Sequence, residues 1–397
     1  MTIRLEPLKH EVSDGHSTRR CRIQRLHVDG SHEESEIWFQ LDSSVPLPDE
    51  DDCDAYVLAV VMDAMRENRT IEVKGSVSKQ LLSNLVEFQA AWNRWKPDTY
   101  GCVEINVAIE RHPAASVPGA ICAFSGGVDA TFSVWRHSQS KNGHRSQQIN
   151  LCAMVHGFDI PLADQAAFDG AKSKAARTLH DVGIGLMQIR TNYREISKVH
   201  WADSFSIALV STLGNFKRLA GTCIIGSGQP YESLLFPWGS SPITDHLLGS
   251  GDFVVMHDGA SHSRTEKVKE ISEWKIGMEN LRVCWQGRLK DRNCGICEKC
   301  VRTKLNFLAS GTAIPACFPE TNILDDLKTI ELKNDHIRVE WSTIYRYAED
   351  HGVQEPWVGK VRRIAPKRVA PILDIVFPKG SVRRKMAKYL KTKLGRS

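Results

Sequence analysis

The stretch Ala120-Ile121-Cys122-Ala123-Phe124-Ser125-Gly126-Gly127-Val128-Asp129 decides how this chain is read. Its first five residues have the length and apolarity of a short buried strand, a glycine pair breaks it, and Phe132, Val134 and Trp135 follow in a helical pattern. Paired glycines allow a tight turn that presents successive N–H groups, and the following helix brings its positive N-terminal end to the same point. An anionic phosphate fits such a turn. Ser125 offers a hydroxyl to a phosphate oxygen, and Asp129 a carboxylate that orients Mg²⁺ or the turn itself. The plain alternative is a strand-to-helix turn with no ligand. No G-x-x-x-x-G-K-[ST] is present, and no G-x-G-x-x-G follows a strand, so neither a mononucleotide P-loop nor a dinucleotide site is supported.

Outward from this turn, short apolar runs alternate with helical patterns. Strands are expected at 149–155, 186–189 and 222–226, and helices at 163–180 and 203–219. This rhythm predicts an α/β fold with a doubly wound parallel sheet and a ligand crevice at the carboxyl ends of its strands. Residues 1–115 read instead as an α+β unit, with strands near 21–28, 36–41, 70–73 and 102–109 and helices at 54–67 and 78–95. The Pro/Ala-rich segment 111–119 is taken as the boundary. Three domains are expected: 1–115 of unknown role, 116–311 carrying the turn, and a helical basic extension at 312–397.

Of eleven cysteines, seven are scattered, several of them inside apolar runs where a thiol behaves as a small hydrophobe, and Cys122 and Cys152 read as core residues within strands. Cys284, Cys294, Cys297 and Cys300 crowd into seventeen residues with C-x9-C-x2-C-x2-C spacing. Four thiolates so spaced suit a closed, structural, tetrahedral Zn²⁺ site. An iron–sulfur cluster and an unmetallated reduced cluster are the alternatives.

Phe124-Ser125-Gly126-Gly127-Val128-Asp129 resembles the pyrophosphate loop of the N-type ATP pyrophosphatases, whose pattern is S-G-G-x-D-[ST]. Ala130 stands where that pattern has Ser or Thr, and Thr131 carries the nearest hydroxyl. Together with the cysteine spacing about 150 residues later, residues 119–311 resemble the 7-cyano-7-deazaguanine synthases, which make the nitrile-bearing precursor of queuosine and archaeosine. The resemblance implies ATP and Mg²⁺ at Phe124 to Thr131 and at Gly226, with Ser125, Asp129 and Lys267 as the catalytic candidates. It implies Zn²⁺ on Cys284, Cys294, Cys297 and Cys300. Asp159 stands where nucleotide recognition is expected, and Gln229, Tyr231 and Glu232 lie in a loop that would face the acceptor. For Lys267 there are two readings, a phosphate contact or a residue behind a Ser263–Glu266 capping box. The implied activity is an AMP-forming ligation. ATP would activate a carboxylate or amide oxygen, on a deazapurine-like acid or a macromolecule-linked acceptor, for displacement by ammonia or an amine. A specialised modification or defence pathway and a homodimer fit the resemblance. A tRNA or nucleobase thiolation enzyme and a non-catalytic nucleotide- or nucleic-acid-binding protein are the alternatives.

The composition is that of an ordinary globular chain: 397 residues, 42% hydrophobic and 25% charged. No apolar run reaches the roughly 18 residues of a membrane span, and the N-terminus lacks a secretory apolar core, so a cytoplasmic protein is expected. The net charge of +5 is uneven. From Trp357 onward 13 Lys and Arg face Asp374 alone, so that segment carries +12 and the remainder −7. Such a tail attracts a polyanion such as nucleic acid, or is simply a solvated end.

Overall fold

The computed structural model describes residues 1–112 and 114–365. Its strands are β1 (Thr2–Pro7), β2 (Glu11–Ser13), β3 (His16–Leu26), β4 (His32–Asp42), β5 (Thr70–Ser78), β6 (Ile105–Arg111), β7 (Ala120–Ala123), β8 (Ile149–His156), β9 (Gly185–Thr191), β10 (Thr222–Gly226) and β11 (Val254–Asp258). The helices of the first 321 residues are α1 (Asp54–Glu67), α2 (Lys79–Trp95), α3 (Val128–Ser138), α4 (Gln165–His180), α5 (Tyr193–Ile196), α6 (Trp201–Leu213), α7 (Arg264–Ile271), α8 (Lys275–Glu279) and α9 (Glu298–Ala309).

All eleven strands form one mixed sheet in the order β11-β10-β7-β8-β9-β4-β3-β1-β5-β6, with β2 on β3. The five strands β11-β10-β7-β8-β9 pair in parallel throughout. Strand β9 then meets β4 antiparallel, Phe39 opposite Thr191 and Gln40 opposite Arg190. The α+β pattern of the first hundred residues is therefore the continuation of this sheet. Met1–Thr321 is one compact unit and Asn322–Ser397 another. The two units meet at 321/322, whereas the sequence pattern places breaks at 115/116 and 311/312, and residues 112–119 connect β6 to β7.

Alternation along the parallel strands sends side chains to two separate cores. Cys122, Cys152, Met154 and Ile224 pack with Val134 of α3 and Phe168, Ala171 and Leu179 of α4. Ile121, Leu151, Ala153, Cys223 and Ile225 pack on the other face with Ile207, Ala208 and Val210 of α6 and with α1. Helix α1 is buried from Asp54 to Met65, which explains its apolar composition on every side.

A buried ionic network crosses between the sequence halves. Lys217 Nζ contacts Asp52, reaches Asp54 Oδ2 at 3.3 Å and Asp252 Oδ2 at 3.2 Å. Arg111 also meets all three, with Asp52 at 2.9 Å and Asp252 at 3.5 Å. Three carboxylates thus share two cations, so burial, reinforced by the neighbouring Asp52, pushes Asp54 up to about 6.

In the second unit, α10 (Ile323–Asp326), α11 (Asp335–Asp350) and α12 (Pro356–Ile364) follow, with Trp341, Ile344, Ala348, Trp357 and Val361 buried. These helices fall in the 312–365 part of the expected extension. Most of the +12 tail lies outside the described residues. No helix among the described residues is long and apolar enough to cross a membrane.

Two outcomes follow from the network. Lys217→Met leaves three buried carboxylates on Arg111 and costs about 3–5 kcal/mol in urea unfolding. Asp54 binds its proton more tightly folded, at about 6, than at the ordinary 3.8. Its contribution to stability therefore falls as pH rises through that window, and Asp54→Asn removes this slope from the urea-derived stability curve.

Candidate functional site

The carboxyl ends of β7, β8 and β10 surround a cavity of about 280 Å³. The strand order reverses here: β8 and β9 extend the sheet to one side of β7, β10 and β11 to the other. Phe124, Ser125, Gly127, Val128, Asp129 and Ala130 line one wall. Gly126 adopts φ +76°, a left-handed conformation suited to glycine, and Gly127 is the N-cap of α3. No side chain caps that helix, so its first-turn amides face the loop without a side-chain acceptor. The loop is pinned from outside. Arg282 donates its backbone N–H to the Gly126 carbonyl (2.8 Å) and its Nε–H to the Ser125 carbonyl (3.2 Å).

Gly226, at the end of β10, is set by close approach. A Cβ there would lie 2.8 Å from the carbonyl carbon and oxygen of Asp129. The second turn of α3 is held by Asp258 at the end of β11, which accepts from Ser133 Oγ at 2.7 Å.

Asp129 is engaged by two cations. Arg264 Nη2 donates to Oδ2 at 2.8 Å and Lys267 Nζ to Oδ1 at 3.1 Å. Burial pushes the Asp129 carboxyl up, but Arg264 and Lys267 outweigh it and hold the group well below the usual carboxylate range. Lys267 is only 1% exposed, also donates to the Ser227 carbonyl, and does not line the cavity. It stands behind Asp129. The Ser263–Glu266 capping box is formed, with Ser263 N–H donating to Glu266 Oε2 at 2.7 Å, and it starts α7 so that Arg264 reaches the cavity.

Arg264, Arg282 and Lys299 all line the cavity, with Asp159 facing Arg282 Nη2 at 4.0 Å. The opposite wall is aromatic: Phe158, Trp201 and Phe205, with Phe158 and Trp201 edge to face at 5.1 Å between centroids. The arrangement provides a cationic, amide-rich end suited to an anion beside a wall suited to a flat ring.

The chain matches no family model, no curated protein and no solved structure. The site therefore stands on its own geometry.

Several expected residues lie elsewhere. Thr131 is buried and does not line the cavity, so its hydroxyl does not replace the one missing at Ala130. Gln229 is buried and receives the Leu235 N–H on its side chain, Tyr231 is 59% exposed and Glu232 exposed; none lines the cavity. The 227–233 loop turns them aside: Ser227 Oγ donates to the Gln229 carbonyl and the Tyr231 N–H to that of Ala260. Arg264, Arg282, Lys299, Phe158, Trp201 and Phe205 are additions from the structure. The capping box signals Arg264, since it fixes the first helical residue. The C-x2-C spacing signals Lys299, since it puts that residue on the first turn of α9.

The four cysteine sulfurs lie within 4.8 Å of one another. Pairs at 3.5 Å (Cys284–Cys294), 3.6 Å (Cys284–Cys297) and 3.9 Å (Cys294–Cys300) approximate the edges, about 3.8 Å, of a tetrahedron with Zn–S bonds of about 2.3 Å. Backbone amides of Gly287 and Cys297 donate to Cys284 and Cys294 sulfurs, which favours thiolates. Buried Asn293 knits the module, accepting from Val283 N–H (2.9 Å) and donating to the Leu281 (2.9 Å) and Cys317 (3.0 Å) carbonyls. These four cysteines can hold a metal such as zinc. Their module supplies Arg282, Val283, Lys299 and Thr303 to the cavity wall.

Elemental analysis of the full chain is expected to give about one zinc per chain, lost in Cys297→Ala; iron with visible absorbance would replace that assignment. Gly226→Ala overpacks the β10–α3 contact and is expected to cost about 1–3 kcal/mol in thermal unfolding.

Proposed function

We propose that the chain is a cytoplasmic, ATP-dependent, AMP-forming ligase similar to 7-cyano-7-deazaguanine synthase, built on a doubly wound parallel sheet. One observation carries the reading: the Ser125-Gly126-Gly127 loop at the start of α3 shares a cavity with Arg264, Arg282 and Lys299 where the strand order reverses. Crevices at such reversals are where open α/β sheets take nucleotides.

In this reading the loop amides and the three cations receive the triphosphate, and the aromatic wall takes a flat base or acceptor. An oxygen of the acceptor carboxylate attacks the α-phosphorus, the bond to the α–β bridging oxygen breaks, and pyrophosphate leaves with that electron pair. Ammonia or an amine then attacks the activated carbonyl carbon, AMP departs, and the nitrogen gives up a proton. The chain's own part is position and charge. Loop amides and guanidinium groups are already arranged, so little reorganisation accompanies charge transfer to pyrophosphate. Mg²⁺ would be held by Asp129 or Asp159 with the phosphates, where it neutralises phosphate charge. Lys267 acts through Asp129 and is a positioning residue. A zinc ion held by Cys284, Cys294, Cys297 and Cys300 would fix the segment that carries Arg282 and Lys299.

The test is AMP and pyrophosphate release by the zinc-replete full chain with ATP, Mg²⁺, ammonium and 7-carboxy-7-deazaguanine. Equal AMP and pyrophosphate are expected, falling by about 10²–10³-fold in Arg264→Ala. ADP and phosphate as products, or no cleavage of ATP, would overturn the reading. AMP release without conversion of this acid keeps the adenylation and discards the acceptor.

A further inference from the structure

A second basin, about 430 Å³, lies in the N-terminal half of the sheet, lined by Arg25, Glu33, Arg66, Glu67, Arg69 and Lys198. The topology sets it on the same edge as the first cavity. Strand β4 runs antiparallel to β9, so its residues before Phe39 extend past the carboxyl end of β9. Glu33 lies six residues further on, roughly 20 Å at 3.3 Å per residue. It pairs across strands with Arg25, which pairs with Ile3 of β1. The C-terminal turn of α1 brings Arg66 and Glu67 to this edge.

Among the lining side chains four cations face two carboxylates, a side-chain balance of +2, and Met1 also lines the basin. Glu67 is shared: Arg25 Nε donates to it at 3.0 Å and Arg69 Nε lies 2.9 Å from it. Arg69 is further committed to the Leu26 carbonyl and His27. Glu33 lies 3.8 Å from His27 Nε2. The Arg25 interactions with protein carboxylates use Nε and leave the outer edge of its guanidinium. Arg66 and Lys198 are exposed and form no ion pair among the described residues. The excess charge thus sits on groups open to a ligand, around a buried arginine. Its size matches a phosphate dianion, and guanidinium forks suit phosphate oxygens.

One short stretch of chain reaches both the basin and the cavity. Lys198 lines the first and Trp201 the second, and three residues span at most about 11 Å between Cα atoms. We propose that this basin binds a dianionic phosphate, and, resting on the ligase reading, that the phosphate belongs to an acceptor whose reacting end lies in the cavity. The acceptor is then a phosphorylated molecule, such as a nucleoside 5′-monophosphate carrying the acid on its base, rather than a free base.

Two measurements on the zinc-replete full chain separate the site from its role. Titration with inorganic phosphate is expected to show two sites, one lost in the double variant Arg66→Ala, Lys198→Ala and the other in Arg264→Ala. A single site, or phosphate binding unchanged in the double variant, overturns the proposal even if AMP is released. Equal displacement by acetate would make the basin a carboxylate site and likewise overturn it. In the AMP-release assay, the 5′-monophosphate of the carboxy-deazaguanine nucleoside is expected to show a KM about tenfold below that of the free base. The double variant removes that difference; equal KM values in the parent chain would overturn the acceptor assignment and leave the phosphate site standing.

Discussion

Arg282 joins two parts of the sequence that share no local pattern. Its backbone amide and its guanidinium hold the Gly126 and Ser125 carbonyls, and two residues later the chain supplies Cys284 to the four-sulfur cluster. A glycine turn at φ +76° has little intrinsic preference for one shape. Fixing two of its carbonyls from outside keeps its amides aimed at the cavity. The cluster does the corresponding work for its own module, which is poor in regular structure between Cys284 and Cys297. A metal held there would cross-link a segment with too little apolar surface to order itself.

Part of the cationic charge in the cavity is already paired. Asp129 draws Arg264 and Lys267 toward the loop, and Asp159 faces Arg282. An incoming polyanion would meet cations already held by carboxylates, so that the desolvation cost is partly met before binding. The separation between Lys267, buried beneath Asp129, and Arg264, which lines the cavity, comes from their places on α7, three residues apart. Sequence spacing alone does not tell which of the two points outward.

Much of the parallel half was legible because buried strands and amphipathic helices differ in length and period. The expected strand at 222–226 and helix at 54–67 match β10 and α1 at both ends. Strand β11, Val254–Asp258, was not read: its pattern is short and follows a glycine- and serine-rich loop. The joining of the halves was not legible either, since it rests on the β4–β9 pairing, the packing of α1 with α6 and the Lys217–Asp52 contact, all between residues more than 100 positions apart. In the site, the loop and the cysteine cluster are local motifs and were readable. The aromatic wall arrives from α6 and the turn after β8, and nothing local marks Trp201 or Phe205 as neighbours of Ser125.

The most direct measurement is calorimetric binding of Mg²⁺ and a non-hydrolysable ATP analogue to the full chain, before and after removal of the cysteine-bound metal. If loop and cluster form one nucleotide site through Arg282, the metal-replete chain binds one analogue and the stripped chain binds it about tenfold or more weakly, a loss of about 1.4 kcal/mol. Absence of binding in the metal-replete chain, or an affinity unchanged by stripping, would contradict this account.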